Sequence, residues 1–238
     1  MSKGKLEKFA EISAMPHVFQ NVNWRIPSLQ NYKGEEVVMK GNWNRDFFKN
    51  DHPIVLELAC GYGEYTMAIA ARYPDVNVIG IDVKGNRIWR GATFVQDEGL
   101  KNAAFIRTQI EQLTDFFEAD EVSEIWLTFP DPRKEHRRAR KRLTAARYLN
   151  LYRQILKKDG FIHLKTDSTL LYEYSLESLA EEKCIILADY RDIYVANEAE
   201  NLAANDRNFD LATSVKTRYE KIHADLGETI KYVRFRVS

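Results

Sequence analysis

The sequence predicts an α/β fold: a doubly wound, mainly parallel sheet completed by an antiparallel C-terminal strand. Three observations carry this class. From residue 53 onward short apolar runs alternate with longer amphipathic ones, a glycine turn joins the first run to its helix, and the tail ETIKYVRFRV alternates like an edge strand. Strand-helix units of this length favour right-handed crossovers between parallel neighbours.

The elements read in chain order. PIVLELA is a buried strand ending at CGYG, and EYTMAIAARY is a helix that stops before Pro74. VNVIGIDV follows as a second strand, and KGNRIWRGATFVQDEGL as a second helix ending near Gly99. AAFIRT, VSEIWLTF and GFIHLKTD are further strands, separated by the helical stretches EQLTDFF and TAARYLNLYRQILKK and followed by LLYEYSLESLAEE. KTRYEKIHADLG adds a helix-like piece before the last strand. Residues 1–51 mix Lys, Asn, Trp and Tyr without sustained period, so the chain divides into an N-terminal extension over 1–51, an arm or a lid, and one domain over 52–238.

Composition narrows the function classes. At 238 residues and 45% hydrophobic content the chain can bury a core without staples, and its two cysteines, Cys60 and Cys184, speak against a disulfide framework and for a reducing, cytoplasmic setting. No segment has the apolar length of a signal peptide or a membrane span, so no membrane partner is expected. His17, His52, His136, His163 and His223 show no metal-ligand spacing, so no metal is expected. Formal net charge is zero, from 35 basic and 35 acidic residues, so any polyanion site must be local. The densest positive cluster is residues 133–142, where seven of ten residues are Lys or Arg, directly after Pro130-Asp131-Pro132. By itself this run reads either as a solvated, salt-bridged loop or as a carboxylate beside a polyanion surface.

The glycine turn is Glu57-Leu58-Ala59-Cys60-Gly61-Tyr62-Gly63. Gly61 and Gly63 let the backbone turn sharply against a ligand, and Asp82, 19 residues after Gly63, has the spacing of a carboxylate that accepts from ribose hydroxyls. The third glycine of a dinucleotide fingerprint is replaced by Thr66, and Glu64 opens the helix, where a carboxylate disfavours phosphate and tolerates a cation. S-adenosylmethionine meets these terms, with a ribose, a sulfonium and no phosphate. Cys60 reads as a small buried residue of the turn rather than a nucleophile.

Here the chain resembles a known family. LELACGYGEYTMAIAARYPDVNVIGIDV is similar to the first two motifs of class I (Rossmann-like) methyltransferases, and FPDPRKEHRRARKRL to the F-P-D-P block of the tRNA (guanine-N7)-methyltransferase family. HLKTD at 163–167, EYSLE at 173–177 and TRYE at 217–220 resemble further segments of that family, so the likeness spans roughly 53–237. It implies methylation of N7 of a variable-loop guanosine in tRNA by S-adenosylmethionine, in a monomer or homodimer. Residue by residue, it implies that Glu57 and Asp82 bind the methyl donor, that Asp131 stands at the catalytic centre against it, and that Asp167, Thr217, Arg218, Tyr219 and Glu220 bind substrate. Gln109 stands where the family has an acid and could still hydrogen-bond the adenine. Arg133 replaces an aromatic and Glu135 a lysine, with Lys134 adjacent, so phosphate contacts are expected from Lys134 and from Arg137 onward to Arg142. Tyr62, Tyr172 or Tyr219 could stack on splayed bases.

Overall fold

The computed structural model describes residues 4–224 and 227–237. The chain opens with α1 (Lys5–Ser13), β1 (Val18–Asn21), β2 (Leu29–Gln30), β3 (Glu36–Val37) and a π-helical turn at Trp43–Phe48. The expected alternation follows as β4 (Ile54–Leu58), α2 (Glu64–Arg72), β5 (Asn77–Asp82), α3 (Gly85–Asp97), β6 (Ala103–Arg107), α4 (Leu113–Phe116) and β7 (Val122–Thr128). It continues through α5 (Ala146–Ile155), β8 (Leu156–Thr166), α6 (Thr169–Glu181) and β9 (Ile185–Tyr190). Three helices, α7 (Ile193–Glu200), α8 (Leu202–Asn205) and α9 (Arg207–Ser214), lead to α10 (Arg218–Ala224) and β10 (Lys231–Arg236).

The ten strands among the described residues form one sheet in the order β3-β2-β1-β6-β5-β4-β7-β8-β10-β9. The run from β1 to β8 is parallel, and β10 pairs antiparallel with β8 and β9, as the alternating tail predicts. Side chains alternate across the sheet with period two. Leu56, Leu58, Ile79 and Ile81 therefore face one apolar layer, while Val55, Val78, Phe105 and Trp126 face the other. Strands buried on both faces are what a parallel sheet covered by helices requires, and each fully buried Leu, Ile or Val contributes about 1.5–3 kcal/mol.

Where the sequence suggested an arm or lid, residues 18–48 extend the sheet. β1 pairs with β6 through Val18 opposite Phe105 and Phe19 opposite Ile106. Trp43 is fully buried, donates its indole N–H to the Phe116 carbonyl at 3.0 Å and meets the Phe19 ring edge-on at 5.1 Å. Strands of two to four residues are too short to show a period, so their burial was not legible. The helix expected over 144–158 ends at Ile155, and its last residues begin β8. β9 has a mostly exposed pattern and carries no buried-strand signal.

Backbone packing fixes the glycine turn against α3. A Cβ at Gly91 would lie 2.8 Å from the Tyr62 carbonyl oxygen and 2.7 Å from the Phe105 ring, so only glycine lets α3 approach this closely. Gly91→Ala is expected to lower stability by about 1–3 kcal/mol through overpacking, read as a lower urea midpoint with an unchanged denaturant slope.

Candidate active site

The parallel strands β4, β5, β7 and β8 all end on one edge, and the loops that follow enclose a cavity of about 900 Å³. Its walls include Cys60, Gly61 and Tyr62 after β4, Asp82 and Lys84 after β5, Pro130 to Lys134 after β7, and Asp167 and Ser168 after β8. The tail closes the far side with Thr217, Tyr219 and Lys231. A second cavity, of about 380 Å³, adjoins it beside Gln109 and Tyr148. Ala59, Asp82, Pro130, Asp131 and Arg133 border both.

The turn after β4 is held by two carboxylates. Asp82 accepts from the Gly61 amide at 2.9 Å and from the Lys84 amide at 2.8 Å, which leaves acceptor capacity facing the cavities. Gly61 has φ +57°, and a Cβ there would meet nothing closer than the Ala59 carbonyl at 4.0 Å, so the missing side chain opens space on the cavity wall. Gly63, at φ +73°, starts α2, and a Cβ there would strike the Phe105 ring at 2.8 Å; its requirement is internal packing, and it does not line either cavity.

Glu57, expected at the methyl donor, turns into the interior. It is fully buried and borders neither cavity. One carboxylate oxygen accepts from the Thr66 amide at 2.8 Å and the Thr66 hydroxyl at 2.6 Å, and the other from the Tyr65 amide at 3.4 Å and the Thr128 hydroxyl at 3.3 Å. It satisfies orphan amides at the start of α2 and ties them to the end of β7. Burial pushes its carboxyl up to about 7, against the downward pull of the Thr66 hydrogen bonds.

Asp131 stands on a strained turn. Phe129 and Arg133, on either side of Pro130-Asp131-Pro132, have φ of +48° and +46°, and Ala59 opposite has +55°. Such conformations cost on the order of 1–3 kcal/mol for a side-chain-bearing residue and persist only when packing enforces them. The enforcing group is Arg142. It is buried, its Nε donates to the Pro132 carbonyl at 2.9 Å, another guanidinium nitrogen donates to the Arg133 carbonyl at 3.1 Å, and its plane lies 4.3 Å from the Tyr174 ring. Arg142 thus braces the turn from beneath and does not offer its charge to solvent. Asp131 itself is exposed, accepts from the Arg133 amide at 3.0 Å and pairs with the Arg133 guanidinium at 3.0 Å.

The remaining expected residues divide. Lys134 lines the larger cavity, whereas Arg137 lies outside it and pairs with Glu135 at 3.3 Å. Gln109 borders the smaller cavity. Asp167 lines the larger one, its carbonyl accepting from Lys231 Nζ at 2.8 Å; the cap of the following helix, α6, is Ser168, whose hydroxyl accepts from the Leu171 amide. Thr217 and Tyr219 reach the cavity, and the Arg218 guanidinium lies 5.7 Å from the Tyr62 ring. Glu220, expected to bind substrate, is buried, pairs with buried Lys165 at 2.8 Å and accepts a short hydrogen bond from the Tyr194 hydroxyl, so it anchors the tail. Tyr172 is also buried, its hydroxyl bonded to Asp189, and offers no stacking face. Sequence reasoning missed Lys84, Arg87 and Lys231 as wall residues. For the first two the signal was present as cations three residues apart at the start of α3; for Lys231 it was absent.

Among the described residues no group of three or more His, Cys, Asp or Glu is arranged to hold a metal ion, and no helix is long and apolar enough to cross a membrane.

Two outcomes follow from these contacts. Glu57 ionises near 4.5 when unfolded and near 7 when folded, so the stability its neutral form contributes is complete below about 4.5 and lost as pH rises through 7. Urea titrations should show the stability advantage of wild type over Glu57→Gln shrinking across that window by up to about 3 kcal/mol. Arg142→Met leaves two carbonyls of the strained turn unpaired and should lower stability by about 1–3 kcal/mol, whereas Arg140→Met, on exposed surface, should change it by less than about 0.5 kcal/mol in the same assay.

Comparison with known proteins agrees with this architecture. The methyltransferase family model Methyltransf_4 matches residues 51–231. A tRNA (guanine-N(7)-)-methyltransferase of Christiangramia forsetii is 44% identical over 99% of this chain and 99% of its own length. Proteins of the same name from Bacteroides thetaiotaomicron and Cytophaga hutchinsonii are 43% and 37% identical, over 100% and 99% of this chain and 87% and 98% of theirs. Among solved structures, the 16S rRNA methyltransferase KamB superposes with a TM-score of 0.61 at 11% identity, covering 86% of this chain and 96% of that one. An antibiotic-related methyltransferase gives 0.59 at 15% identity, covering 84% and 95%. At these identities the two structures speak for the fold alone.

Proposed function

Because the chain belongs to the tRNA (guanine-N7)-methyltransferase family, we propose that it transfers a methyl group from S-adenosylmethionine to N7 of a guanosine in tRNA, the variable-loop guanosine its family resemblance implies. The observation that carries the assignment of parts is that Asp82 and Asp131 each border both cavities. A nucleoside held at Asp82 can lay its base toward Gln109 and extend its other end past Gly61 toward Asp131. The open space at Gly61, the unspent acceptor capacity of Asp82 and the neutral amide of Gln109 fit a ribose, a closely approaching chain and an adenine edge. S-adenosylmethionine, when bound, supplies an electrophilic methyl group on sulfur.

Guanine N7 carries an available lone pair, so no base has to remove a proton from it. Positioning is the main demand, and a fixed attack geometry can contribute about 7–11 kcal/mol. Methylation leaves positive charge on the purine. The Asp131 carboxylate, on its braced turn, can stabilise that charge or accept from the N1 and N2 donors of the guanine edge. Arg133 occupies both Asp131 oxygens, and a guanine edge would take its place there. Lys134 and the tail residues Thr217 and Tyr219 border the same space and suit the nucleotide's phosphate and base. The cations on the cavity wall, Lys84, Arg87 and Lys134 among them, support RNA as substrate, and a tRNA substrate supports a cytoplasmic setting.

Incubation with labelled methyl donor and unmodified tRNA should label guanosine N7. Asp131→Asn should lower kcat by roughly 100- to 1000-fold while donor affinity by calorimetry stays within a few-fold. An unchanged rate in that variant removes Asp131 from the reaction centre, and an unlabelled tRNA with a donor-binding wild type overturns the reaction itself.

A further inference from the structure

The conspicuous basic run is partly spent on internal contacts. Arg133 pairs with Asp131, Arg137 and Arg138 share Glu135 at 3.3 and 2.8 Å, and Arg142 is buried under the turn. Across the larger cavity a second basic surface has no such neutralisation. Lys84 caps the start of α3, and Arg87 and Arg90 follow at three-residue spacing, which puts these two arginines on one helical face with Cβ atoms about 5–6 Å apart. Among the described residues none of the three has an ion pair.

Aromatic faces lie beside the two arginines. The Arg90 guanidinium lies 5.8 Å from the Tyr62 ring, which Arg218 approaches at 5.7 Å, and Arg87 lies 6.0 Å from the Tyr219 ring. Lys84, Arg87, Tyr62 and Tyr219 line the larger cavity, so the stripe starts at its rim. Two carboxylates border it without pairing with its cations: Asp82 accepts from the Lys84 amide at 2.8 Å, and Glu64 from the Arg218 amide at 3.1 Å. Cations without an ion pair, at and beside the rim of a site that admits one nucleotide, are placed to take the phosphates on either side of it.

We propose that Lys84 at the N-cap of α3 and Arg87 and Arg90 on its first turns, continued by Arg218, form a second phosphate-binding surface that grips the tRNA backbone on the side of the cavity opposite residues 133–142. The inference rests on tRNA being the substrate. The RNA strand that presents the guanosine is held on both flanks, and the α3 flank supplies backbone affinity without sequence preference.

The test measures binding of an unmodified tRNA transcript over a range of salt concentrations, for wild type, Arg87→Gln/Arg90→Gln and Arg87→Lys/Arg90→Lys. The Gln pair should raise Kd roughly tenfold at moderate salt and lower the salt slope by about 0.7–0.9 per lost contact, and the Lys pair should restore both. Donor affinity and the urea midpoint, measured on the same proteins, separate a lost contact from a damaged fold. A wild-type Kd and slope in the Gln pair, with wild type binding and methylating tRNA, overturn the α3 surface alone. A Lys pair as weak as the Gln pair at an unchanged urea midpoint overturns the charge-based role. A wild type that binds donor but not tRNA overturns the substrate reading and this surface with it.

Discussion

One buried carboxylate joins the two halves of the site. Glu57 leaves β4 on the helix-facing side of the sheet, and its two oxygens take amides of the first turn of α2 and the hydroxyl of Thr128, the last residue of β7. The glycine turn and the Pro130-Asp131-Pro132 turn are the next segments of those two elements. Their separation is therefore set by hydrogen bonds inside the protein, before any ligand arrives. A group buried this deeply resists ionisation, and the amides and hydroxyls around it offset part of that cost.

The far wall of the cavity depends on a second buried polar contact. Lys165, near the end of β8, donates to Glu220 at 2.8 Å and to the Val215 carbonyl at 3.2 Å, and burial brings its ammonium down to about 8. Tyr194 completes the group through its hydrogen bond to Glu220. Removing one partner of such a pair would leave an unpaired charge in the interior, so the tail segment that carries Thr217 and Tyr219 is held to the sheet by a contact of strict geometry. The HLKTD and TRYE segments, far apart in sequence, meet here through Lys165 and Glu220.

Positive charge around the site has three uses that composition cannot separate. Arg142 is spent on carbonyls beneath the strained turn, Arg133 and Arg137 on neighbouring carboxylates, and Lys134 and the α3 stripe face the cavity or the solvent beside it. Exposed pairs of this kind contribute little to stability, with a median of about 0–1 kcal/mol, so a polyanion can displace them at small cost. The buried arginine is different in kind, because its guanidinium is itself withdrawn from water and is spent on the two carbonyls of the strained turn.

The sequence by itself determined the parallel core, the glycine turn, Asp82 at the end of β5, Asp131 on its proline-flanked turn, and the family. Each is written locally, as an apolar period, a fixed spacing or a contiguous motif. Tertiary structure decided the rest. Residues 18–48 join the sheet through strands too short to carry a period, and Glu57 and Glu220, acids within recognisable motifs, turn inward because the amides, hydroxyls and ammonium that satisfy them come from elsewhere in the chain. Arg142 braces while Arg140 is exposed, although both stand in one basic run, because only the first lies beneath the carbonyls of Pro132 and Arg133 and against Tyr174. The spacing of side chains along a chain is local information, whereas which of them meets water is set by contacts between distant segments.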